Sequence, residues 1–281
     1  MKKWTAVTLT LLTCGIVHAL PVGNPLDPML YTNHFIDWKD SCDPCSHWYD
    51  PFNIRLGFYG DYVFNRELKA ENGNGSILNT KINTNAGLIT ISFCDWIEVF
   101  GTIGVSNFAF ITPYYGTTTR TSTNNVDLEH SFSPTMSYSV GGRALIWNCN
   151  CFYLGVEGQY FYSQTELNSI TSYDTGTITY FDNKSDRNTG YNEWQVGLSA
   201  SYLFEGEGIS YIPYTALQFA GVSWNLSQVG DGLLTLSDHE EAKLLGWTLG
   251  LAIVVNDLIG VSCEARFANE KALSVIGQLS F

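Results

Sequence analysis

Eight charged residues stand inside otherwise apolar stretches: Arg55, Asp61, Glu98, Arg143, Glu157, Glu193, Glu264 and Arg266. Opposed charges set around a wet interior orient ions and polar solutes at a constriction. The same residues do something simpler if they only pair with one another and fill the space they face. Cysteine chemistry is a second possibility. Of seven cysteines, Cys42 and Cys45 have the C-x-x-C spacing of redox and zinc motifs. No βαβ pattern follows them, and no second pair stands at zinc-ligand spacing. No metal or cofactor is expected. Hydrolysis is a third. Asp127, Glu129 and His130 in one loop, with Asp238, His239, Glu240 and Glu241 in another, would let an Asp–His pair activate water. Loop histidines among acids are usually just solvated, and no serine motif accompanies them. An enzyme is not expected.

The elements that position these residues show themselves by a period of two. From Asn53 to Arg66, Ile54, Leu56, Phe58, Gly60, Tyr62 and Phe64 share one parity, and Arg55, Gly57, Tyr59, Asp61, Val63 and Asn65 the other. A strand sends successive side chains to opposite faces. The closing residues repeat the pattern, with Leu273, Val275, Gly277, Leu279 and Phe281 against Ala272, Ser274, Ile276, Gln278 and Ser280. Similar segments fall at 83–95, 96–110, 134–148, 151–164, 190–204, 210–225, 242–255 and 258–268. Together these predict about ten antiparallel strands, many long enough for a tilted membrane crossing. Parity is ambiguous at Thr215–Phe219, where a bulge would shift it. Residues 165–182 alternate weakly; they either extend strands or raise the count to twelve.

Connections alternate between short and long. Turns at Asp95-Trp96, 148–150, 205–209 and Asn256-Asp257 are short, whereas 67–82, 111–133, 165–189 and 226–241 are long and rich in Asn, Thr, Ser and Gly. That asymmetry belongs to outer-membrane β-barrels, whose periplasmic turns are short and outer loops long. An even strand count with both termini in the periplasm puts these four short turns there; only the last connection, near Asn269, breaks the pattern. In such a barrel the apolar parity faces lipid, because an Arg or Lys turned to the bilayer centre costs about 2–4 kcal/mol. All eight charged residues take the polar parity, which makes them candidates to line the lumen. A secreted β-sandwich would reverse the faces, and alternation alone does not separate the two. The long loops would also suit a structural or adhesive surface protein.

Residues 1–19 read as a secretory leader: Lys2 and Lys3, an apolar run from Trp4 to Val17, then Val17-His18-Ala19. The expected organisation is therefore a leader at 1–19, a periplasmic segment at 20–52 and a transmembrane barrel at 53–281, in the bacterial outer membrane. The formal charge of −13 argues against nucleic acid as a partner. A 14% aromatic content and 26 glycines, with only 15% charged residues, suit many strands and tight turns.

Several runs are distinctive: LPVGNPLDP (20–28), CDPCSHW (42–48), IRLGFYGDYVFNRELK (54–69), FCDWIEVFGTIGVSN (93–107) and PYTALQFAGVSW (213–224). Together they resemble the chlamydial major outer membrane porin family, whose members are longer and have more predicted strands. The resemblance implies a barrel that admits small solutes and a coat protein cross-linked through cysteines. On the topology above, Cys42, Cys45, Cys94, Cys149 and Cys151 lie at the periplasmic face, an oxidising compartment. Ordinary intrachain bridges or buried thiols would explain them. The resemblance implies bridges to other cysteine-containing envelope proteins. Cys263 has lipid-facing parity and reads as an unpaired apolar filler. The bilayer itself is the other expected partner, and a homo-oligomer is compatible with the sequence.

Overall fold

A lipid-facing wall needs every backbone N–H and C=O paired within it, which only a closed sheet provides among β-structures. The computed structural model has such a sheet. It describes residues 20–31 except Val22, and 52–281 except 72–75, 78, 94–95, 116–124, 173–177, 181–187, 227–237 and 269. Ten strands form the wall. They are β1 (Phe52–Arg66), β2 (Asn79–Phe93), β3 (Ile97–Tyr115), β4 (Thr135–Cys149), β5 (Phe152–Ser172), β6 (Asn188–Tyr202), β7 (Ile209–Trp224), β8 (Leu245–Val255), β9 (Ile259–Phe267) and β10 (Glu270–Ser280). Each pairs antiparallel with the next. The ring closes where β10 pairs with β1, from Arg55 opposite Ser280 to Arg66 opposite Glu270. All ten predicted strands are present. Residues 165–182 extend β5 and add a short strand at Ile178–Tyr180 that pairs with it, so the wall stays at ten.

The alternation of faces follows the sequence. On β1, Ile54, Leu56, Phe58 and Phe64 are exposed outward and Arg55, Tyr59, Asp61 and Val63 are buried. The outward face is banded. Trp96, Trp147, Phe152, Tyr202, Phe204 and Tyr211 ring the short-turn end. Tyr138, Tyr160, Tyr162, Trp194, Phe219, Trp247 and Phe267 ring the other. Between them stand aliphatic side chains such as Val99, Leu198, Leu249 and Val261. Two aromatic girdles around an apolar belt is the signature of a wall in a bilayer. The 14% aromatic content finds its place here.

Turn chemistry fixes the register. Asn256 and Asp257 have φ of 52° and 54°, the left-handed pair of a type I′ turn, which matches strand twist. The bulge expected at Thr215–Phe219 is absent, since β7 keeps unbroken pairing with β6 and β8. Bulges lie instead between Val63 and Asn65 on β1 and between Leu145 and Trp147 on β4. Wall height is uneven. β3 and β5 have 19 and 21 residues, whereas β8, β9 and β10 have 11, 9 and 11.

Candidate functional site

The interior is where chemistry is available. All eight charged strand residues face into it and are buried. They meet further groups that the alternation did not single out: Asp27, Arg66, Glu241 and Glu270. Among the described residues the buried interior thus holds four arginines and eight carboxylates. They form two networks.

The first lies toward the short-turn end. Arg55 meets Glu98, donates to Ser92 Oγ at 2.9 Å, and lies over the Tyr31 ring at 4.3 Å. Arg143 is shared among three carboxylates: Glu98 at 2.6 Å, Asp27 at 3.0 Å and Glu157 at 3.0 Å. Gln195 Nε2 donates to the second oxygen of Glu157 at 2.8 Å. Charge-assisted contacts of this length are about twice as strong as neutral ones. They offset the several kcal/mol per ion that desolvation costs.

The second lies toward the long-loop end. Arg66 makes a bidentate pair with Glu193, at 2.8 and 2.9 Å, and reaches Glu241 at 3.1 Å. Tyr191 donates its hydroxyl to Glu193 at 2.8 Å. Arg266 joins Asp61 at 2.6 Å and Glu270 at 2.5 Å. The bulge after Val63 explains why Arg66 escaped the parity argument: it turns Arg66 inward two residues past Phe64, which points out. Glu270 had a signal available, since it continues the inward row of Ala272 and Ser274. Beyond this network an apolar cluster crosses the bore, centred on the fully buried Trp224. Its ring lies 5.7 Å from Phe108, 5.2 Å from Phe110, 5.3 Å from Phe132 and 5.4 Å from Tyr191.

Residues 20–31 are also inside. The sequence expectation puts 20–52 in the periplasm; Leu20, Pro21 and 23–31 of it lie within the bore, and Phe52 begins β1. Tyr31 sits at the short-turn end, where its carbonyl accepts from Asn53 Nδ2. A four-residue helix, α1 (Asp27–Leu30), follows an Asx turn in which Asn24 Oδ1 accepts from Leu26 N at 3.1 Å. Leu26, Leu30 and Tyr31 pack on Leu145, Tyr153, Ile212 and Tyr214 of the wall. Deeper in, Gly23 N donates to Glu264 Oε2 at 2.9 Å and Pro21 O accepts from Gln195 at 3.3 Å. Leu20 ends in the apolar group with Val63, Phe161 and Tyr191. With this segment in place, two cavities lined by described residues of these networks have volumes of about 10 and 20 Å³, room for one or two waters.

The loop residues weighed for hydrolysis are placed otherwise. Asp127, Glu129 and His130 lie on a short strand, Asn125–Phe132, that pairs with the outer part of β3. His130 stacks on Phe110 with centroids 4.6 Å apart, and its Nε2 is 2.9 Å from Thr112 Oγ1. Burial pushes its pKa down to about 4. Asp238 precedes the strand His239–Glu241, which pairs with Leu68–Ala70. In that strand burial lifts the Glu241 carboxyl to about 8, against the opposing pull of Arg66. Glu240 pairs on the surface with Lys69 at 3.2 Å. Among the described residues no group of three His, Cys, Asp or Glu is arranged to hold a metal.

Cys149 and Cys151 are exposed free thiols at the β4–β5 turn, flanking Asn150 with φ 54°, and Cys263 is exposed on the outer face. Cys42, Cys45 and Cys94 lie outside the described residues.

A closed antiparallel wall, girdled by aromatics and polar within, is an outer-membrane β-barrel. Sequence comparison with known proteins agrees. The family described as Chlamydia major outer membrane protein matches residues 1–81. A major outer membrane porin of Chlamydia pneumoniae is 28% identical over 377 aligned positions, covering 95% of each chain. The serovar C major outer membrane porin of Chlamydia trachomatis is 25% identical, covering 100% of this chain and 99% of its own. Among solved structures, the β-domain of the Bordetella autotransporter BrkA aligns with 83% of the chain at 9% identity and a TM-score of 0.46. The chain is similar to the chlamydial major outer membrane porins along its whole length, and its place is the bacterial outer membrane.

Proposed function

We propose that this barrel is a porin-type protein through which small solutes cross the outer membrane, and that it is tied into the envelope by disulfides. The observation that carries the first part is the lumen. Six carboxylates and four arginines point inward from a closed wall, joined by Asp27 of the inserted segment and Glu241 of a short strand, which is the polar interior of a conduit rather than the apolar core of a soluble sandwich. Similarity to porins along the whole chain supports the same reading. Short turns then face the periplasm, residues 1–19 are the leader, and Arg55, Asp61, Glu98, Arg143, Glu157, Glu193, Glu264 and Arg266 line the path.

A second reading has one specific observation in its favour. Ten strands leave little bore once side chains fill it, and this interior is occupied by residues 20–31 and by the Trp224 cluster. On that reading the barrel is structural, with no open pore. Conductance of the chain from Leu20, reconstituted in planar bilayers, separates the two. Stepwise ion currents are expected of a porin, and their absence over a wide voltage range favours the structural barrel. For the envelope role, Cys42→Ser with Cys45→Ser is expected to reduce the high-mass, reductant-sensitive species seen on gels. An unchanged pattern would remove that pair from the cross-links.

A further inference from the structure

Leu20 is the first residue after the expected leader, and it is buried within the barrel, 4% exposed. It lines the cavity of about 10 Å³ together with Asp61, Arg66, Glu193, Arg266 and Glu270. Two features of this cavity call for a cation. Among the described residues, its lining sets two guanidiniums, Arg66 and Arg266, against three carboxylates, Asp61, Glu193 and Glu270. Glu270 is 2% exposed, and its Oε2 has no hydrogen-bond donor; the nearest guanidinium nitrogen, on Arg66, is 3.8 Å away. A buried carboxylate oxygen without a donor costs free energy unless something fills the gap. The available space is that of one water, which an ammonium group also fits.

We propose that the cation is the α-ammonium of Leu20 itself, created when the leader is removed, and that it clamps residues 20–31 inside the barrel. Hydrolysis of the Ala19–Leu20 bond by a leader peptidase adds water, leaving a carboxylate on Ala19 and an ammonium on Leu20. That ammonium supplies the donors Glu270 Oε2 lacks and offsets the local excess of negative charge. The wall is built to receive the rest of the segment. An added Cβ at Gly155 would lie 2.6 Å from Pro25 Cβ, and one at Gly260 would collide with the Tyr31 hydroxyl. These inward positions are glycine where the segment rests on them. The ring of ten strands is complete without it, so the segment is an insert and not part of the sheet. The inference rests on the leader reading and is independent of whether the barrel conducts.

Chemical access to the amine tests it. The chain beginning at Leu20 is refolded in detergent and treated with an amine-acylating ester near neutral pH, and the N-terminal peptide is quantified by mass spectrometry. Acylation is expected to be at least about tenfold slower in the folded barrel than in urea, and a Gly155→Ala variant to recover most of the lost rate by dislodging Pro25. Equal rates in folded and unfolded chains would overturn the proposal. A second measurement covers the case in which the Gly155 variant misfolds. The unfolding midpoint is compared for free and N-acetylated chains, each with and without Glu270→Gln. Acetylation is expected to lower the midpoint in the parent and to have at most half that effect in the Glu270→Gln variant; equal effects would refute the pairing.

Discussion

The two ends of the bore are closed by different means. At the short-turn end the filling is a separate piece of chain, residues 20–31, held by Arg143, Glu264 and Gln195 and seated on the wall by Leu26, Leu30 and Tyr31. At the long-loop end the filling belongs to the wall: Phe108 and Phe110 of β3, Tyr191 of β6 and Trp224 of β7 meet ring to ring. One closure can leave without breaking a single ladder hydrogen bond. The other moves only if strands move. A barrel of this size is therefore blocked by insertion on one side and by packing on the other.

Breaking each closure separately sharpens the contrast. The largest effect is expected from Arg143→Glu. It leaves Asp27, Glu98 and Glu157 facing a new carboxylate, and losing one partner of a buried ion pair already costs about 3–5 kcal/mol. The unfolding midpoint in detergent should fall sharply, and any current that remains should shift toward cation selectivity; unchanged reversal potentials would remove Arg143 from the path. Trp224→Ala comes next, at about 3–5 kcal/mol for a fully buried aromatic, read by heat-modified mobility on gels. Because the two sites share no partner among the described residues, the midpoint shifts of the double variant should add within about 0.5 kcal/mol. A larger departure would show that the closures are coupled.

A smaller effect concerns pH. His130 is held neutral at the long-loop end, with its pKa lowered from 6.5 to about 4 by burial. Its contribution to stability is present in full above 6.5 and is lost as pH falls through 4. The shift corresponds to about 3 kcal/mol at most. His130→Leu should flatten that acid limb in a melting-temperature profile, whereas the short-turn closure should give no such limb from this residue. The smallest effect is expected at the exposed Lys69–Glu240 pair. Lys69→Ala should change the midpoint by less than about 1 kcal/mol.

The strands were legible because each face of this wall meets a different medium, so parity alone separates Ile54 from Arg55 and Val140 from Arg143. The contents of the bore were far less so. Residues 20–31 carry prolines, a glycine and an asparagine with no period, and read as part of a periplasmic segment. Their partners Arg143 and Glu264 lie 116 and 241 positions away, and periodicity along a strand says nothing of who faces whom across a lumen. Arg66 was hidden by a single extra residue in β1. The charges named from parity all turned inward, but the second half of each ion network came from a bulge, a strand end and the inserted segment.

The unequal strands do not leave the rim open on the low side. Along β8 to β10, with 11, 9 and 11 residues, the wall hardly exceeds the nine to eleven or so needed to cross the hydrocarbon. Above them the strand His239–Glu241 pairs with the top of β7 on one edge and with Leu68–Ala70, which follows β1, on the other. Two loops thus supply the parapet that three short strands lack, and a change in either loop alters the height of the wall without touching a membrane-crossing residue.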